Sequence, residues 1–219
     1  MHVLVLGGTG PVGILLIQEL LAASHTVVVY ARSPGKLPEG ITTNPNVTIV
    51  KGDLMDREAL GRALEGVHAV VSALGPAVGK GPLHPSGTPI AKGYAVLVEL
   101  MEKHNIKRLI ALGTASMKDE HDKFDLQFWV LVNGVATFAH SAYKDVVAIG
   151  ETIRRSSALI YTIARVPILT NSKKKECVAG YVGDGKTKPW LTRSAFASFV
   201  VEELGRNDWI QKAPLLSVP

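Results

Sequence analysis

Three groups of residues in this 219-residue chain have the types and spacing for chemistry. The first is glycine-rich: Gly8, Gly10 and Gly13 fit the pattern G-x-G-x-x-G, and Gly7 extends it to G-G-x-G-x-x-G. In that pattern one glycine makes a tight turn, one lets backbone approach a pyrophosphate, and one lets a helix pack close to a strand. The second group is cationic. Arg32 and Ser33, with Lys36 nearby, stand where a dinucleotide site usually places an Asp or Glu, about 20 residues past the glycines, for the ribose 2′-OH. No acid occurs between Glu19 and Glu39. A guanidinium pairs two-pronged with a phosphate, so the stretch favours NADP(H) over NAD(H), the missing carboxylate being the stronger half of the argument. The third group is the hydroxyls of Thr114 and Ser116 in Gly113-Thr114-Ala115-Ser116. They either face a nicotinamide and its substrate or cap the next segment, and the sequence leaves the two readings even.

The elements that position these groups read clearly in the first half. Val3-Leu4-Val5-Leu6 is a buried strand and Pro11 to Ala23 an apolar helix, with Pro11 in the first turn, where its missing N–H is not needed. The helix N-terminus aims backbone N–H groups and its dipole at the glycine turn. Thr26 to Tyr30 is a second strand, Pro34 to Asn46 a loop, and Val47 to Val50 a third strand ending in Lys51-Gly52-Asp53-Leu54. Asp53 either accepts from an adenine amino group or caps a helix. A short helix spans Asp56 to Leu64, and Ala69 to Ser72 is a fourth strand with Ala73-Leu74-Gly75-Pro76 at its mouth. Backbone there lies beside a cofactor at the switch point between the first and fourth strands.

The second half is less transparent. The stretch 78–88 is rich in Gly and Pro and reads as a mobile loop. A long helix follows over Pro89 to His104, then a fifth strand over Arg108 to Leu112. Between Asp119 and His140 stand Phe124, Phe128, Trp129 and Phe138, either an apolar pocket wall or core packing. A helix over Asp145 to Ser156 and a sixth strand over Leu159 to Ala164 come next. Val178 to Val182 and Thr187 to Leu191 read as a hairpin about Asp184-Gly185, followed by a helix over Arg193 to Leu204 and a tail strand over Pro214 to Pro219. Alternating strands and helices predict an α/β, Rossmann-type, doubly wound and mainly parallel sheet in a single domain, 1–219.

The totals agree. Hydrophobic residues make up 47% and charged residues 20%, the balance of a globular chain. No apolar run reaches the roughly 18 residues of a membrane span. Cys177 alone cannot form an internal disulfide, no H-x-x-x-H pair gives metal-site spacing, and no G-x-S-x-G supports a hydrolase. A cytoplasmic monomer or homodimer acting on a small molecule is expected, with no nucleic-acid, membrane or metal partner. The net charge of +5 is scattered apart from Lys173-Lys174-Lys175, and a modest positive field suits an anionic cofactor. Gly180 to Thr187 also matches G-x-x-x-x-G-K-T, the phosphate loop of ATPases. That loop needs a helix starting at its Lys-Thr; Lys188-Pro189-Trp190 follows instead, so the match is set aside.

The glycine turn, Arg32-Ser33, Gly52-Asp53-Leu54 and Gly113 to Ser116 together resemble the atypical short-chain dehydrogenase/reductases, and more closely the NmrA-like proteins and the flavin reductase/biliverdin-IXβ reductase branch. Glu151 to Pro167 resembles that group's E-x-x-L-x-x-S-G-L-x-Y-T-I-x-R-x-P segment, and Leu191 to Ala197 its I-S-R-x-D-x-A segment. The resemblance implies NADP(H) bound with Gly7, Thr9, Gly10, Pro11 and Val12 on the pyrophosphate and Arg32 on the 2′-phosphate. Asp53 and Leu54 would meet the adenine, and Ala73, Leu74 and Gly75 the ribose. Thr114 and Ser116 would border the nicotinamide, Pro167 and Ile168 would close over it, and residues from about 165 onward would contribute to the substrate side. The wider superfamily carries a catalytic Y-x-x-x-K. Here Tyr143 is the candidate tyrosine, but Val147 stands four residues on and Lys144 is turned about 100° away on a helix. The implied activity is hydride delivery to a flavin, quinone or related conjugated acceptor, with Ser116, Thr114 or Tyr143 as a weak proton donor. An NmrA-type NADP(H) sensor without turnover, or an NADP-fold isomerase or dehydratase, are the alternatives.

Overall fold

The structure, a computed structural model, describes residues 1–76 and 83–219. Residues 77–82 lie outside it, and with them the first half of the Gly/Pro-rich stretch expected as a mobile loop. In chain order the elements are β1 (His2–Leu6), α1 (Pro11–Ala22), β2 (Thr26–Ala31), α2 (Glu39–Thr42), β3 (Val47–Lys51), α3 (Arg57–Ala63), β4 (Ala69–Ser72), α4 (Pro89–Lys103) and β5 (Arg108–Thr114). There follow α5 (Leu126–Phe138), α6 (His140–Arg155), β6 (Ile160–Val166), β7 (Ile168–Thr170), β8 (Val178–Gly180), β9 (Trp190–Thr192), α7 (Arg193–Arg206) and β10 (Leu215–Ser217).

The strand β1 is an interior strand, between β2 and β4, of an eight-stranded sheet of order β3-β2-β1-β4-β5-β6-β10-β8. Pairings from β3 through β10 are parallel, and β8 closes the edge antiparallel to β10. Strand periodicity divides the β1 side chains between two cores. Val3 and Val5 pack with Leu16, Ile17 and Leu20 of α1 and Phe196, Val200 and Leu204 of α7. Leu4 and Leu6 pack with Leu60 of α3, Tyr94 and Leu97 of α4, and Ile149 and Ile153 of α6. A sheet sandwiched this way needs apolar residues at every position of β1, which is why Val3 to Leu6 are all at most 1% exposed. This is the doubly wound Rossmann-type α/β fold.

Three expectations are corrected. The stretch from Pro34 to Asn46 is not all loop, since α2 forms within it. The stretches 178–182 and 187–191 do not form a hairpin: β8 pairs with β10, whereas β9 pairs in parallel with β7 in a small second sheet. The turn at Asp184 is real, but the strands on either side of it find partners elsewhere. The helix expected from Asp145 begins five residues earlier at His140, and a further helix, α5, precedes it. Asp125 caps α5, its carboxylate accepting from the Phe128 N–H at 3.1 Å.

One buried charge fixes the segment between β5 and α5. Arg165 on β6 is fully buried and donates to both carboxylate oxygens of Asp122, at 2.6 and 2.7 Å, and to the carbonyls of Met117 and Ala213. Partial burial pushes the Asp122 carboxyl up, but Arg165 and the N–H groups of Asp119 and Val182 outweigh that and hold it below its ordinary value. Removing one partner of such a pair costs about 3–5 kcal/mol, because the other charge is left buried alone.

Candidate cofactor and acceptor site

The site forms where the strand order reverses, between β1 and β4. Gly7 ends β1 with φ +75°, a left-handed conformation, and a Cβ there would lie 2.8 Å from the Ala73 carbonyl carbon. The Gly10 N–H donates to the Gly7 carbonyl at 3.1 Å and closes the turn. A Cβ at Gly13 would stand 2.2 Å from the Gly7 carbonyl oxygen, so only glycine lets α1 start this close to β1. Gly10 is the N-cap of α1 with no side-chain cap bond, and Pro11 follows it. The first-turn N–H groups have no preceding helical carbonyl and point at the cradle with the positive end of the helix dipole. The turn therefore fits a pyrophosphate.

Two cavities flank it and share Gly75 and Pro76. The first, about 610 Å³, is lined by Gly7, Thr9, Arg32, Ser33, Asp53, Leu54, Leu74 and Gly75 of the expected residues, together with Tyr30, Lys36 and His84. Asp53 is not the helix cap: Asp56 takes that role, accepting from the Ala59 N–H at 3.0 Å. The Asp53 carboxylate accepts from the Met55 N–H, and its carbonyl accepts from the Tyr30 hydroxyl at 2.7 Å. Burial first, then the nearby Asp56 and Asp53 carboxylates, push the Tyr30 hydroxyl up to about 12, so it serves as a fixed donor across the physiological range.

The second cavity, about 580 Å³, takes in Val12, Ala73, Gly75, Thr114, Ser116, Pro167 and Ile168 of the expected residues. Gly10 and Pro11 shape the turn without lining either cavity. The Thr114 hydroxyl accepts from the Ser116 N–H at 3.2 Å, so it both caps the local turn and reaches the cavity. The helix α5 does wall this cavity, but with Leu131, Val132 and Val135 rather than its aromatics. Phe128 is buried against Ala115, Val182 and Leu215, while Phe124, Trp129 and Phe138 are exposed.

Tyr143 is half-buried on α6 and is not among the lining residues; Ala142 and Val146 are. Those two are four apart on one helix face, the spacing of a Y-x-x-x-K pair one residue out of register with Tyr143. Counting back from the buried row Ile153, Ile149 and Val146 at helical spacing reaches Ala142, a signal lost when the helix is started at Asp145. The cavity face of α6 thus carries two apolar side chains where a tyrosine and a lysine would work.

Sequence reasoning also missed a polar link between α4 and α6. Asp145 is fully buried and accepts from the N–H groups of Ile90 and Ala91, at 3.1 and 2.8 Å, and shares a 2.8 Å hydrogen bond with the Nε2 of His84. The carboxylate therefore caps α4 from a neighbouring helix while Thr88, at the N-cap, is left-handed and makes no cap bond. No local pattern announces this, because donor and acceptor are 55 residues apart.

Residues 7–207 match the family model described as NAD(P)H-binding, and the chain belongs to that family. Particular relatives follow the same line. Eugenol synthase 1 of Petunia hybrida is 30% identical over 113 residues, 48% of this chain and 33% of the relative. The uncharacterized protein YLL056C of Saccharomyces cerevisiae is 27% identical over 201 residues, 87% of this chain and 65% of the relative. The chain thus spans from one third to just under two thirds of the length of these curated relatives. Among solved structures, a short-chain dehydrogenase/reductase from Veillonella parvula DSM 2008 in complex with NADP superposes with TM-score 0.81 at 19% identity, covering 100% of this chain and 94% of that one. ChuY, an anaerobillin reductase from Escherichia coli O157:H7, superposes with TM-score 0.77 at 17% identity, covering 100% and 98%. The structural likenesses show the fold; the family match shows an NAD(P)H-binding protein.

Proposed function

We propose that the protein is an NADPH-dependent reductase that passes hydride to a small, electron-poor acceptor such as a flavin, a quinone or a related conjugated carbonyl. The observation that carries this reading is the pair of cavities joined at Gly75 and Pro76. One is edged by Arg32 and Lys36; the other is largely apolar, with Thr114, Ser116 and Arg193 as its polar lining. A nucleotide laid across the switch point spans both. When bound, the cofactor supplies the hydride, and the fold supplies orientation and exclusion of water.

The roles divide by position. Arg32 and Ser33 take the 2′-phosphate, with the guanidinium as a two-pronged donor. Gly7, Thr9, Gly10, Pro11 and Val12 hold the pyrophosphate at the α1 N-terminus. Asp53 and Leu54 meet the adenine, and Ala73 to Gly75 follow the ribose. Pro167 and Ile168 cover the nicotinamide end, and with Leu169 and Arg193 they make residues beyond about 165 the substrate side. Ala142 and Val146 offer no proton. An acceptor that spreads the incoming charge over a conjugated system suits such a site, because it needs no strong acid in the hydride step. Ser116 and Thr114 remain as weak donors, and Tyr143 recedes from that role.

Fluorescence titration with NADPH and with NADH tests the reading. NADPH is expected to bind at least tenfold tighter, and Arg32→Ala to erase about 1.4 kcal/mol or more of that preference. Steady-state NADPH oxidation with flavin and quinone acceptors then follows. No binding of either nucleotide at sub-millimolar concentration sinks the proposal. Tight binding without oxidation of NADPH by any such acceptor moves the protein to the sensor class.

A further inference from the structure

The helix α5 is apolar on both faces. Its inner face holds Phe128 in a small core and walls the second cavity with Leu131, Val132 and Val135. Its outer face leaves Leu126, Trp129 and Val130 exposed by 63, 55 and 57%, and Phe124 and Phe138 flank it at 78 and 79%. The other long helices are built differently. On α4 the exposed positions carry Lys92, Glu99, Glu102 and Lys103, and on α6 Lys144, Glu151 and Arg155. Residues 126–139 contain no charged side chain. Of their few polar residues, exposed Asn133 and Thr137 bond back onto the helix: the Thr137 hydroxyl donates to the Asn133 carbonyl and the Asn133 amide to the Trp129 carbonyl, each at 2.8 Å, leaving Gln127 as the exposed polar side chain turned to solvent. A helix apolar all round is ordinarily buried, and an exposed patch of this kind marks a partner.

We propose that α5 docks the protein on an anionic lipid surface, with its outer face in the boundary between headgroups and acyl chains. Charge selects this occupant. Exposed cations stand in sequence on either side of α5, Lys123 three residues before it and Lys144 near the start of α6. Of the acids nearby, Asp122 is bound by Arg165 and Asp125 caps the helix, leaving Glu120 exposed. A second copy packed antiparallel across a two-fold axis would set the Lys123 end of one α5 against the Lys144 end of the other, cation to cation. An anionic surface neutralises both ends, and the net charge of +5 draws the whole molecule toward it. Trp129 suits the interface, with an apolar ring and an N–H that stays in reach of water and headgroups. Among the described residues no helix is long and apolar enough to cross a membrane, so the helix lies on the surface rather than spanning it.

The test is co-sedimentation of the full chain with vesicles of phosphatidylcholine alone and of phosphatidylcholine mixed with phosphatidylserine, beside light scattering of the free protein. Binding is expected to rise about tenfold with phosphatidylserine and to fall with added salt. Trp129→Glu should abolish it, and the pair Lys123→Glu and Lys144→Glu should remove its dependence on phosphatidylserine. All three positions are exposed and line neither cavity, so NADPH affinity should not change, and that titration also certifies the fold of each variant. Equal and negligible binding to both vesicles overturns the proposal. So does a protein of twice the chain mass that Trp129→Glu returns to monomer, since a second copy then covers the face. The docking is independent of the reductase reading: loss of vesicle binding leaves NADPH binding intact, and failure to bind NADPH leaves the vesicle result standing.

Discussion

The two glycine-rich stretches, 7–13 and 180–187, both match phosphate-binding patterns and fold to opposite ends. Both place glycine in left-handed backbone, Gly7 at φ +75° in the first and Gly183 and Gly185 at +69 and +77° in the second. What differs is where the N–H groups go. After Gly13 the chain continues as α1, whose first-turn donors converge on the cradle. In the second stretch the Asp184 carboxylate accepts from the N–H groups of Tyr181, Lys186 and Thr187, at 2.8–2.9 Å, and from the Thr187 hydroxyl at 3.1 Å. The second turn carries its own anion. Glycine spacing specifies a bend; the element that follows, and whether a side chain already fills the bend, specifies a site.

Gly13→Ala sharpens this contrast most. Its Cβ would meet the Gly7 carbonyl oxygen at 2.2 Å and carbon at 2.7 Å, and the Gly8 Cα at 2.7 Å, all backbone, so no rotamer change relieves it. We expect a destabilisation of about 3 kcal/mol in urea unfolding, with NADPH affinity reduced at least tenfold because α1 must withdraw from the cradle. Gly183→Ala is the counterpart. Its Cβ would lie 2.7 Å from the Lys123 carbonyl oxygen at a left-handed position, a cost of roughly 1–3 kcal/mol. NADPH affinity should not move. Weakened NADPH binding in Gly183→Ala, or unchanged binding in a folded Gly13→Ala, would break the comparison.

The same contrast explains how much was legible. The nucleotide half reads from the sequence because its signals are local: β1, the glycines, α1 and Arg32 lie within 32 residues, and β1 pairs with β2 and β4, all three of them nearly wholly buried runs. The missing acid after β2 pointed to Arg32, and Arg32 lines the cavity. The acceptor half reads poorly because its determinants are tertiary. The partners of β8 and β9 are β10 and β7, and no turn residue announces either choice. Asp145 looked like a helix start but lies inside α6, capping a different helix. Tyr143 lies one residue away from the cavity face because the buried row Val146, Ile149 and Ile153 sets the phase of α6, and the wall on α5 is made by aliphatic residues rather than its aromatics.

Asp184→Asn has the smallest expected effect and tests the comparison most directly. Partial burial pushes the Asp184 carboxyl up, but the N–H groups of Tyr181, Lys186 and Thr187 and the Thr187 hydroxyl prevail and hold it below its ordinary value. A depressed folded-state pKa means that the charged form adds stability above the unfolded pKa of about 3.9, and that this contribution is lost as pH falls through the folded value. The substitution keeps the shape and removes the charge. We expect about 1 kcal/mol less stability at pH 7, with wild type and variant converging below about pH 4. Asp122 is also held low, by Arg165, but it is common to both proteins, so the difference between the two unfolding curves isolates Asp184. The variant should bind neither ATP nor inorganic phosphate at 180–187, because no helix follows to gather the freed donors. If removing the charge created such a site, glycine spacing alone would suffice and the role assigned to α1 would fail.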